Sequence, residues 1–113
     1  MIDAYDFGRI VIDGKAFTRD VIIFHDRVID NWWRKEGHVL NREDIELVVK
    51  EKPEVLIVGT GKYGIMEVPA ETGEYIRSKA IELIVEPTEK ACKEYNNKIS
   101  HDKKTVAALH LTC

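Results

Sequence analysis

Pro53-Glu54-Val55-Leu56-Ile57-Val58-Gly59-Thr60-Gly61-Lys62-Tyr63-Gly64 decides the fold. Four consecutive apolar residues, Val55 to Val58, run into two glycines one residue apart. A short apolar run without alternation reads as a strand buried on both faces. Glycines at its end mark a sharp turn, and in open α/β sheets ligands bind outside the carboxyl ends of such strands.

Working outward, amphipathic helices flank this strand. Before it, Asn41 stands at a helix start with Glu43 and Asp44 in the first turn, and Ile45, Val48 and Val49 form one apolar stripe. Lys50 and Lys52 suit the carboxyl end, and Pro53 stops the helix. After it, Val68-Pro69 opens a helix over about 70–80, with Tyr75, Ile76, Lys79 and Ala80 expected inward. Ile81 to Val85 reads as another strand. Thr88 after Pro87 is expected to cap a third helix, with Ala91, Cys92, Tyr95 and Ile99 on one face, and residues 105–111 read as the closing strand. Strands alternating with one-sided helices imply a parallel sheet with both faces covered.

The first third reads differently. Residues 9–12 and 15–17 flank Asp13-Gly14, a type I′ hairpin turn. Val21 to Phe24 is a short apolar strand, and Arg27 to Asp30 a plausible hairpin partner. Trp32 to His38 reads as a loop or irregular edge. These strands either extend the sheet or form a small separate layer.

Composition narrows the function classes. At 113 residues the chain is one domain, spanning 1–113. Its 17 Lys and Arg against 20 Asp and Glu leave a net charge of −3, which argues against a nucleic-acid partner. No apolar run approaches the roughly 20 residues of a spanning helix, so no membrane partner is expected. Asp3 and Asp6 near the start argue against a secretory signal, and the expected location is the cytoplasm. Two cysteines, Cys92 and Cys113, make no disulfide framework and lack metal-ligand spacing.

Three sets of residues invite a chemical reading. Gly59-Thr60-Gly61-Lys62-Tyr63-Gly64 matches the spacing of a dinucleotide-binding fingerprint, with Glu86 about twenty residues on. That motif needs a helix opening at the glycines, whereas Val68-Pro69 delays the helix. The expectation is a tight turn, with Gly59, Thr60, Gly61, Lys62 and Tyr63 as a candidate small-ligand or anion site and His25 or His38 nearby. Trp32, Trp33 and Arg34 form a candidate protein interface, since Trp and Arg dominate interface energetics. The alternative is that one indole packs on the sheet. The histidines His25, His38, His101 and His110 are scattered, and His110 and Cys113 sit three apart, on opposite faces of a strand. No zinc site, no cofactor and no catalytic constellation is recognised, so whether the chain is an enzyme stays open.

Several segments also carry a family likeness. Pro53 to Gly61, the Val68-Pro69 helix entry, Thr88-Glu89-Lys90-Ala91, Lys93-Glu94-Tyr95-Asn96 and His110-Leu111-Thr112-Cys113 resemble the Mth-domain family of small α/β proteins. The likeness runs from about Tyr5 to Cys113. It implies a three-layer single α/β domain: a mixed central sheet with helices on both faces plus an N-terminal β-hairpin element. It brings no established activity, cofactor or catalytic residue. Members in larger organisms act as assembly or regulatory factors, which favours another protein as the partner. The oligomeric state, monomer or homodimer, stays open. Likeness of fold alone does not give function.

Overall fold

The computed structural model describes residues 1–113. In chain order the elements are β1 (Ile2–Asp6), β2 (Arg9–Ile12), β3 (Lys15–Phe17), β4 (Val21–Ile23), β5 (Val28–Asp30), α1 (Arg42–Lys50), β6 (Val55–Thr60), α2 (Ala70–Arg77), β7 (Glu82–Glu86), α3 (Thr88–Ser100) and β8 (Thr105–His110). The central sheet has the order β5-β4-β8-β6-β7, and β1-β2-β3 form a second, antiparallel sheet. β6 lies parallel to both β7 and β8, while β4 is antiparallel to β5 and β8. Both readings of the first third therefore hold: β4 and β5 extend the sheet, and the earlier hairpin makes its own layer. That layer also contains β1, a strand the sequence pattern does not mark.

Every residue of β6 and β8 is buried, as expected of strands covered on both faces. Alternation divides the core in two. Val55, Ile57, Ala107 and Leu109 face α3 and the small sheet, packing on Ile10, Phe17, Ala91, Cys92 and Tyr95. Leu56, Val58, Val106 and Ala108 face α1 and α2, packing on Ile45, Val48 and Ile76. The Asp13-Gly14 turn has both residues at positive φ, 49° and 81°, as a type I′ turn requires. No helix is long and apolar enough to cross a membrane.

Two local expectations need correction. α2 buries Thr72, Gly73 and Ile76, while Lys79 and Ala80 are exposed. The helix stops at Arg77 and Ala80 turns to positive φ, so the stripe lies one turn earlier than read. Thr88 does not cap α3, because Pro87 holds the cap position and the Thr88 hydroxyl is used elsewhere.

Candidate functional site

The glycine turn is where the sequence places it, at the carboxyl end of β6. Gly61 adopts φ +105° and its N–H donates to the Thr88 hydroxyl at 2.8 Å. That hydroxyl in turn donates to the His110 carbonyl at 2.6 Å, tying β6, α3 and β8 together. Thr60 donates to the Glu86 carbonyl at 3.1 Å. The amides beyond Gly61 are also engaged. Lys62 N–H donates to the Thr112 carbonyl at 2.6 Å, and Tyr63 and Ile65 N–H donate to the main-chain oxygen of Cys113 at 3.3 and 3.1 Å. The Lys62 ammonium lies over the Tyr5 ring and 4.0 Å from Asp6. Tyr63 is exposed, with its ring 6.3 Å from that of Phe7.

Trp32, Trp33 and Arg34 do not share one face. Trp32 is buried at 7% exposure, and its indole N–H donates to the Asp44 carbonyl at 3.2 Å. Arg34 is 8% exposed, with its guanidinium 4.6 Å from the Trp32 ring. Trp33 between them points out and is 76% exposed. The physical reason is alternation in an extended segment, which sends neighbours to opposite sides.

Arg34 leads to a cluster that sequence reading does not assemble. Its Nη2 lies 2.8 Å from Asp20 Oδ2 and donates to the Gly37 carbonyl at 3.0 Å. His110 Nδ1 lies 2.8 Å from the same Asp20 oxygen. Asp20 Oδ1 accepts the Leu111 N–H at 2.8 Å, and the Asp20 carbonyl accepts the Trp32 N–H at 2.7 Å. Burial alone raises the Asp20 carboxyl. Hydrogen bonds from His110, the Leu111 N–H and Arg34 outweigh it and hold the group below its usual range. The His38 ring stands edge-on to that of His110, 5.9 Å away. The cluster sits at the carboxyl end of β8, where His110 pairs with Thr60. Only the apolar alternation of β8, which sends His110 to the same side as Ala108, signals its inward position in the sequence.

The remaining chemistry-bearing residues lie apart. Cys92 is packed in the core, where burial pushes its thiol up to about 12 and leaves it inert. His25 lines an open cleft of about 650 Å³ between the β4–β5 turn, the end of α3 and the β2–β3 turn, at the other end of β8. Its walls include Phe24, Tyr95, Ile99 and Lys103. No three His, Cys, Asp or Glu side chains are placed to hold a metal ion.

Comparison with known proteins agrees with this architecture. The conserved hypothetical protein PH1505 of Pyrococcus horikoshii is similar over 100% of this chain and 99% of its own, with 30% identity and a TM-score of 0.83. A Bartonella henselae protein described as an outer membrane protein is 25% identical over 99% of this chain and 94% of its own, with a TM-score of 0.84. A Bordetella pertussis protein described as a Mth938-like domain shares the fold at 17% identity and a TM-score of 0.79, over 98% of this chain and 85% of its own. The Mth-domain likeness read from the sequence therefore holds. A family described as protein of unknown function (DUF498/DUF598) matches residues 2–110, and the chain belongs to that family.

Proposed function

We propose that the protein is a binding module whose partner is another protein, with Trp33 as the anchor of the contact. The observation that carries this is the mounting of Trp33. A 76% exposed indole is costly to leave in water, and this one projects from fixed backbone. On one side Trp32 is buried, with its N–H bonded to the Asp20 carbonyl. On the other, Arg34 is paired with Asp20, and the Lys35 N–H donates to Asp44 at 3.1 Å. A rigid aromatic loses little freedom on association, which is what makes a hot spot effective. The sequence reading of Trp32-Trp33-Arg34 as an interface is thereby divided: Trp33 makes the contact and its neighbours hold it.

The glycine turn is the weaker choice. The Lys62, Tyr63 and Ile65 amides that would cradle an anion are already donated to Thr112 and Cys113. A cytosolic setting is part of the proposal, supported by two cysteines that stand unpaired.

The test is site-specific crosslinking from a photoreactive residue at position 33, alongside capture with the native chain and with Trp33→Ala and Leu47→Ala variants. Leu47 is likewise exposed, so both variants should melt like the native protein. The expected result is one reproducible adduct from position 33, and capture of the same partner by the native and Leu47→Ala chains but not by Trp33→Ala. A self-adduct would identify a homodimer. An identical capture pattern for native and Trp33→Ala chains would refute the proposal.

A further inference from the structure

We propose that Asp20, Arg34 and His110 form a proton-linked site for a small oxyanion, phosphate or carboxylate in type, at the carboxyl end of β8. His110 Nδ1 has two neighbours, Asp20 Oδ2 at 2.8 Å and Arg34 Nη2 at 3.1 Å. An ionised carboxylate only accepts, and a guanidinium only donates. Nδ1 therefore carries a proton given to Asp20, and the Arg34 Nη2 hydrogens go to Asp20 and the Gly37 carbonyl. In the neutral imidazole His110 Nε2 is then left with a bare lone pair.

Three atoms of this cluster are buried without a partner: His110 Nε2, Arg34 Nε and Arg34 Nη1. Both side chains are more than nine-tenths buried. Unmet polar atoms at such depth are costly, so three in one cluster call for a role. They are also complementary as a set. The two arginine nitrogens offer N–H to an acceptor, and Nε2 offers a lone pair to an O–H or takes up a proton.

Charge makes the proton part of the site. Asp20 and Arg34 cancel, so an added anion would stand as an uncompensated buried charge, which is costly. Balance is restored if one proton arrives with each anion and rests on Nε2 or between Nε2 and the ligand oxygen. The titratable and charged groups facing His110 are Asp20 from the segment before β4, and Arg34 and His38 from the segment between β5 and α1. Its neighbour on β6, Thr60, brings no charge. Glu36, Gly37 and His38 beside the cluster are exposed, and the His38 ring stands against His110.

The test uses the native chain titrated with inorganic phosphate and, separately, acetate, with sulfate as an oxyanion too weakly basic to share a proton near neutrality. Nitrogen NMR of the histidine rings follows Nε2, and calorimetry in buffers of different ionisation enthalpy counts protons. The expected result is a saturable shift of His110 Nε2, uptake of about one proton per anion, and sulfate binding at least tenfold weaker. Phosphate against acetate decides which oxyacid the site prefers. Arg34→Lys, which keeps the charge and loses the fork, should weaken binding at least tenfold. The proposal is overturned if neither phosphate nor acetate saturates a site, if binding leaves His110 Nε2 unmoved, or if no proton is taken up. Because these readings come from the native chain, a variant that fails to fold does not blunt them.

Discussion

At the scale of single residues, Asp20 does the most with one side chain. It accepts from Leu111, His110 and Arg34 at once, and its carboxyl lies below the usual range although burial pulls the other way. A carboxyl lowered by folding gives stability that is fully present above its unfolded value, about 3.9, and lost as pH falls through the folded value. Acid unfolding followed by circular dichroism should therefore steepen below about pH 4, and Asp20→Asn should flatten that part of the curve. The same variant should lose roughly 3–5 kcal/mol in urea unfolding at pH 7, because Arg34 is left buried without its counter-charge. Cys92 gives the opposite sign. Its thiol, raised to about 12 by burial, stays neutral in the folded chain while the unfolded thiol ionises near 9, so this contribution falls as pH rises from about 9 towards 12. At pH 8 an alkylating reagent should modify half-buried Cys113 at once and reach Cys92 only as fast as the protein opens, with mass spectrometry reporting one adduct and then two.

At the scale of elements, the turn after β6 separates what a sequence can say from what it cannot. The strand, the glycines and the late helix start are local, and residues 53–69 spell them out through an apolar run and a proline. What fills the turn is Thr112 and Cys113, some fifty residues away, held through backbone atoms that leave no mark on side-chain type. For the same reason Asp20 and His110 are far apart on paper and 2.8 Å apart in space. Trp32 and Arg34 read as surface partners of Trp33 because adjacency shows in the sequence and burial does not. Substitutions in the turn should expose its packing. A Cβ on Gly61 would run into the Cys113 carbonyl carbon, at φ +105°, so Gly61→Ala should cost roughly 3 kcal/mol or more. Gly64 has φ +69° but its nearest neighbours are 3.6 and 3.7 Å away, so Gly64→Ala should cost only about 1–2 kcal/mol of backbone strain. Denaturant midpoints of the two variants would measure the difference, and equal losses would mean that the Thr112-Cys113 segment yields freely.

For the molecule as a whole, the issue is how two sheets behave as one body. Apolar packing of Ile2, Ile10, Ile12 and Phe17 on α3 and the central sheet is the larger force, but it is not directional. Direction comes from Asn96 on α3. Its side-chain oxygen accepts the Ile2 N–H and its amide donates to the Ile2 carbonyl, both at 2.8 Å, so one side chain satisfies both backbone groups of a β1 residue. Tyr5 adds a hydroxyl bond to the Leu111 carbonyl at 2.8 Å, and the Gly8 N–H donates to the same carbonyl at 2.9 Å. Asn96→Ala strands two partly buried backbone groups, for an expected loss of about 1–3 kcal/mol. Asn96→Asp keeps one acceptor but sets a second carboxylate oxygen against the Ile2 carbonyl, so its loss should be at least as large as that of Asn96→Ala. The loss should also be local first. Hydrogen exchange of the β1–β2 amides should quicken in Asn96→Ala well before that of β6 and β8, whose strands are clamped on both sides by the central sheet. Uniform acceleration across all strands would instead mean that the small sheet cannot loosen without the central sheet, and that packing rather than Asn96 makes the two layers one cooperative unit.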